Sequence, residues 1–122
     1  MLILNMIILV NENTTKEEYQ SSLNDIPDYL KFVTDIKNQS LRIGGIRHVD
    51  AEQLFLEEGS SQTDLWGGGI DIESGYVDYG SMINIRPPTN NSKDVLDKDT
   101  RKKIDTILKN KLRTFINLNF EE

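Results

Sequence analysis

The sequence predicts an α+β fold: a two-layer single domain built on an antiparallel-rich mixed sheet of about five strands, in the order β-α-β-β-α-β-β-α. Three observations carry this expectation. Period-two alternation of apolar and polar residues recurs in paired runs separated by short turn-forming segments. Capping-box spacings mark two helix starts. An apolar stripe with i, i+3, i+4 spacing closes the chain as an amphipathic helix. At 122 residues the chain fits one domain over 1–122, large enough for one core and too small for two.

The first element is the run from Leu4 to Val10, the only strongly hydrophobic stretch. It is far short of the ~20 residues that span a bilayer, and it lacks a basic leader and a cleavage site, so it reads as a buried strand. Met6 can serve as the start, which would make Met1–Asn5 an N-terminal extension. Asn11-Glu12-Asn13 forms a turn. Thr14 with Glu17, and Thr15 with Glu18, both have capping-box spacing and start a short helix at Thr15 or Lys16 that ends near Asn24.

Tyr29 to Ile36 fits strand period through Leu30, Phe32, Thr34 and Ile36. Leu30, Val33 and Ile36 also fit a helix, and the strand is the favoured reading. Lys37-Asn38-Gln39-Ser40 makes a hairpin loop into a second strand from Leu41 to His48. Gly44-Gly45 within that run suggests a bulge or a close backbone approach. Asp50 then reads as an N-cap with Gln53 at N3, Ala51, Leu54 and Phe55 supply an apolar stripe, and Gly59 stands where a C′ glycine belongs.

Leu65–Ile72 and Tyr76–Arg86 form the clearest hairpin, joined through Glu73-Ser74-Gly75. Alternation places Val77, Tyr79, Ile83 and Ile85 on the core face, and Asp78, Met82, Asn84 and Arg86 on the other. Pro87-Pro88 ends the second strand. The last helix runs from about Lys98 to Ile116, with Ile104, Ile107, Leu108, Leu112, Phe115 and Ile116 on one stripe.

Charge is unevenly spread. The net charge is −6, yet between Arg47 and Arg86 there is no lysine or arginine against eight carboxylates, and from Lys98 to Arg113 seven basic residues face only Asp99 and Asp105. Such asymmetry is a common basis for partner steering or self-association. The absence of cysteine excludes a disulfide framework, a thiolate zinc site and a cysteine nucleophile, and fits a cytoplasmic setting.

The basic-free window holds the candidates for chemistry. His48, Asp50 and Glu52 are residues a divalent metal accepts, but helix capping by Asp50 and a first-turn place for Glu52 explain them without one, so no metal is assigned. Asp50, Glu52, Glu57, Glu58 and Asp64 could give a carboxylate pair for acid–base work, although carboxylates are ordinarily solvated. Ser60, Ser61 and Ser81 lack a nucleophile-elbow context. Gly67-Gly68-Gly69 lacks the lysine and spacing of a phosphate loop and reads as a strand that lets another group pack closely. Trp66 reads as core or interface more readily than as a ligand platform. Arg86, grouped with Asn84 and Asp78, could form an ion pair or hold an anion. The basic helix could meet nucleic acid, but it carries no reading motif or aromatic interleaving, and a sequence pI near 4.8 opposes that use.

The strings Gly44-Gly45-x-x-His48-x-Asp50-Ala51-Glu52, Leu56-Glu57-x-Gly59-Ser60, Asp64-Leu65-Trp66-Gly67, Ser81-Met82-Ile83-Asn84-Ile85-Arg86-Pro87 and Arg101-Lys102-Lys103-Ile104, together with Asn91-Ser92, resemble DUF5674. This is a family of small prokaryotic proteins known as a domain of unknown function. The resemblance covers nearly everything from Met6 to the end of the last helix. It implies a compact domain and groups His48, Asp50, Glu52, Ser60, Trp66, Asn84 and Arg86 as family-like positions. The chain departs from the pattern at Gly68-Gly69-Ile70-Asp71.

The functional expectation is a small binding or regulatory module acting through a protein partner or a small anionic ligand, with no cofactor and no membrane contact. Nucleic acid is disfavoured and homodimer formation stays open. The ligand-binding candidates are His48, Asp50, Glu52, Trp66, Asn84 and Arg86. The alternative is a small hydrolase-like enzyme, metal-assisted or not, using His48 with Asp50 or Glu52.

Overall fold

In the computed structural model, which describes residues 6–120, five strands form one antiparallel sheet. They are β1 (Ile8–Val10), β2 (Tyr29–Asp35), β3 (Ser40–Ile43), β4 (Leu65–Asp71) and β5 (Val77–Asp78), in spatial order β1-β3-β2-β4-β5. Three helices join them: α1 (Lys16–Ser21), α2 (His48–Glu57) and α3 (Lys98–Leu112). The element order is the expected one. Leu4 and Asn5 of the expected first strand, and the whole Met1–Asn5 extension, lie outside the described residues.

The pleat of β2 sorts the core. Leu30 and Phe32 point into a large apolar cluster with Ile104, Ile107, Leu108 and Leu112 of α3 and with Tyr19 of α1. Val33, on the opposite pleat, joins Ala51 and Phe55 of α2 and Leu65 of β4 in a second cluster. The sheet thus carries α1 and α3 on one face and α2 on the other, three layers rather than the two expected. The sheet edges are short: β1 has three residues, and Asn119 bridges to Tyr76 beside β5.

Local signals set the boundaries. The Thr15–Glu18 capping box forms in full and starts α1, while Thr14 instead accepts from the Asn11 amide. The helix stops at Ser21, short of Asn24. β3 ends at Ile43 rather than His48, because Gly44 turns with φ +97° and Gly45 with φ +84°. A Cβ on Gly44 would stand 2.2 Å from the Met6 carbonyl oxygen, so the close backbone approach anticipated there is real.

α2 begins three residues earlier than expected, after Arg47 and without a side-chain cap. Asp50 is therefore not the N-cap: its amide already bonds to the Arg47 carbonyl, and its carboxylate turns back to the Arg47 guanidinium at 3.0 Å. The C-terminus behaves as foreseen. Gly59 has φ +100°, its amide donates to Leu56 O and that of Ser60 to Phe55 O, a Schellman closure.

The largest departure follows β5. The second strand of the expected hairpin lasts only Val77–Asp78, and a 3-10 turn over Met82–Asn84, capped by Ser81, breaks the alternation. The face assignment fails from there on. Met82 is 71 % exposed and Ile85 40 %, whereas Asn84 is fully buried. The Pro87-Pro88 peptide is cis. α3 is capped by Asp97 and ends at Leu112, with Phe115 and Ile116 packing as partly buried residues beyond it.

Candidate functional site

The segment from Tyr79 to Leu96 has almost no backbone ladder, so its polar groups must find other partners. Three side chains supply them. Asn84 accepts from Gly67 N at 2.9 Å and donates to the carbonyls of Gly67, Tyr79 and Lys93. Asn90 donates to Asn84 O, Ser92 O and Asp94 O and accepts from Leu96 N. Arg86 donates to Gln62 O, Leu65 O and Ile83 O. Two of these three were candidate ligand contacts; the structure commits both to backbone groups.

Trp66 belongs to the same assembly. Its indole is buried in the main core cluster, and the Arg86 guanidinium carbon stands 3.9 Å from the ring centroid. Trp66 Nε1 and Arg86 Nε are the only buried side-chain polar atoms without a hydrogen-bond partner among the described residues. Burial pulls the Arg86 guanidinium down from its ordinary pKa, and the charge of Glu52 opposes this. Arg86 does not pair with Asp78, whose carboxylate is occupied by Tyr29 and Gly80.

His48, Asp50 and Glu52 diverge. His48 directs Nε2 to Gly68 O at 2.7 Å, Asp50 faces Arg47, and Glu52 accepts from Gln62 at 3.4 Å. The shared direction expected of a strand is lost because all three lie in the first turns of α2. No group of three His, Cys, Asp or Glu side chains among the described residues is placed to hold a metal ion. Of the other carboxylates considered, Glu58 forms a two-point ion pair with the buried Arg42, whose hydrogen bonds hold it below the usual carboxylate range.

The glycine run of β4 has a packing role. A Cβ on Gly67 would stand 2.9 Å from both His48 Cδ2 and Ser81 Oγ, and one on Gly69 would meet the Tyr29 hydroxyl. Bare backbone lets His48, Ser81 and Tyr29 lie directly on the strand. The Tyr29 hydroxyl donates to Asp78 at 2.6 Å, and burial followed by that carboxylate raises its pKa. Burial lowers the pKa of His48, as does Lys31, against the opposing hydrogen bond to Gly68 O and the charge of Asp78. The ring is thus neutral at pH 7, with its proton on Nε2 given to Gly68 O. Ser81 Oγ accepts from Ile83 N and makes no hydrogen bond to His48 among the described residues. The hydrogen-bonded serine–histidine pair that activates a serine nucleophile is therefore not formed here.

A well-defined hollow lies elsewhere. Between α3 and the tip of the β2–β3 hairpin is a groove of about 330 Å³, lined by Ile36, Gln39, Lys102, Lys103, Thr106, Ile107, Asn110 and Lys111. On α3 these residues form two adjacent i, i+4 rows, 102–106–110 and 103–107–111, so they share one face. Ile107 forms part of the floor and continues into the core. The lining contains three lysines and no carboxylate. The two ion pairs among the described residues involve Arg42 and Arg47 and none of these lysines. Lys103 acts on Asp97 only through its field, which helps lower that carboxylate behind the larger effect of Thr100.

The hairpin wall of the groove is firmly built. Gln39 takes a left-handed conformation at φ 56°. Asp35 anchors the turn by accepting from the Lys37 and Asn38 amides, the Asn38 side chain and the Ser60 hydroxyl. Burial pushes the Asp35 carboxyl up, but these hydrogen bonds outweigh it and the net shift is downward. None of the groove residues is a site candidate in the sequence, where the basic helix is weighed against nucleic acid. The two i, i+4 rows were available as a signal, but the hairpin tip that completes the hollow is distant in sequence.

Among the described residues no helix is long and apolar enough to cross a membrane. No curated protein and no solved structure shows a match to this chain. The model of DUF5674, described as a protein of unknown function, matches residues 8–111, and the chain belongs to that family.

Proposed function

We propose that this protein is a small binding module for an anionic ligand, held in the groove between α3 and the β2–β3 hairpin rather than in the basic-free window. The carrying observation is the lining: Lys102, Lys103 and Lys111 converge on a hollow of about 330 Å³ with no carboxylate in it. No ion pair among the described residues engages these three lysines, so their like charges favour an anion between them. The volume falls within the range of about 300–1,000 Å³ found for small-molecule sites. A cytoplasmic setting, where small anionic metabolites are abundant, fits the cysteine-free sequence.

The test is thermal unfolding at low ionic strength with increasing pyrophosphate, on the wild type, Lys103→Glu/Lys111→Glu and His48→Ala. A saturable rise in Tm in the wild type and His48→Ala, absent from the double variant, supports the reading. An equal rise in all three, or none in the wild type, overturns it.

A further inference from the structure

We infer that the groove takes an organic phosphate, an ester whose carbon body lies on the isoleucines, rather than a bare inorganic anion; this rests on the anion-binding reading above. The lining has two chemistries side by side. Lys102, Lys103 and Lys111 supply charge, while the half-buried Ile36 supplies apolar surface between α3 and the hairpin, over the exposed edge of the largely buried Ile107. An inorganic anion would use the first and leave the second wet.

The cations point to phosphate rather than carboxylate. All three are lysines, which act as point charges towards a roughly spherical phosphoryl group. A planar carboxylate is matched best by the two-pronged arginine fork, which the groove lacks. Gln39 and Asn110 add amide groups that make no side-chain hydrogen bond among the described residues, and they can meet hydroxyl or ring atoms of the ligand body. The Thr106 hydroxyl is already given to the Lys102 carbonyl at 3.0 Å.

Three probes that share a diphosphate separate charge from body: pyrophosphate, adenosine diphosphate and geranyl diphosphate. Covering about 60 Å² of carbon surface is worth about tenfold in affinity. Calorimetric titration of the wild type should therefore show one or both organic diphosphates binding at least about tenfold tighter than pyrophosphate. The stronger of the two identifies the body as nucleoside or hydrocarbon. Ile36→Thr should narrow that gap while leaving the pyrophosphate affinity unchanged.

Equal affinity for all three probes in the wild type overturns this inference and leaves the anion site standing. Absence of binding by every probe, pyrophosphate included, removes the anion-binding reading itself. The wild-type comparison decides the matter even if Ile36→Thr folds poorly.

Discussion

Arg86 sits over the indole of Trp66, its guanidinium carbon 3.9 Å from the ring centroid, while its two terminal nitrogens reach three carbonyl oxygens. The arginine nearest the acidic window is therefore a staple. It holds the end of the irregular segment against the chain entering β4. Arg86→Lys keeps the charge but loses the planar fork, and should cost about 2–3 kcal/mol in urea unfolding, with altered Trp66 fluorescence. A loss below about 0.5 kcal/mol would show that the carbonyl bonds contribute little.

Asn84 makes a stronger claim. It is fully buried and bonded to four backbone groups, so Asn84→Ala leaves several of them without partners. The expected destabilisation is about 3 kcal/mol or more. Hydrogen exchange should quicken across residues 79–96 before it changes in α3. Uniform loss of protection would contradict the local role.

The glycines of β4 should differ in tolerance. A Cβ at Gly67 presses on the side chains of His48 and Ser81, which can shift. One at Gly68 would stand 2.4 Å from the Asp78 carbonyl oxygen and 2.5 Å from Phe32 Cζ, against backbone and core. Gly68→Ala should lower the Tm more than Gly67→Ala, with costs of order 1–3 kcal/mol and upward. The reverse order would refute the packing explanation.

The neutral His48 has a pH signature. Its folded pKa lies below 6.5, chiefly through burial, so the unfolded chain binds more protons as pH falls. The stabilisation is therefore complete above pH 6.5 and is lost as pH drops through the folded pKa. His48→Gln should flatten the stability curve just below about pH 6.5. An unchanged slope would assign it to other groups, and the depressed Asp35 titrates below that window.

Much of the fold was legible because its signals are local. The Thr15–Glu18 box, the alternation of β2 and the C′ glycine at 59 each act within a few residues, and each appears as read. What misled was also local. The alternation of Val77, Tyr79, Ile83 and Ile85 looks like a strand, yet the pairing with β4 stops at Asp78, and side chains of Asn84, Arg86 and Asn90 replace the ladder. Asn84 and Arg86 looked like part of a binding site because polar side chains amid an apolar pattern look alike whether they hold ligand or backbone. The groove depends on a hairpin tip and a helix more than sixty residues apart in the chain, a pairing that periodicity does not encode.

The most direct test of the central claim is amide chemical-shift mapping during titration with pyrophosphate, which locates the site without any variant. The expected result is saturable shifts at Ile36, Gln39 and the Lys102–Lys111 face of α3, with His48, Trp66, Asn84 and Arg86 unmoved. Shifts centred on those four residues, or none anywhere, would contradict it.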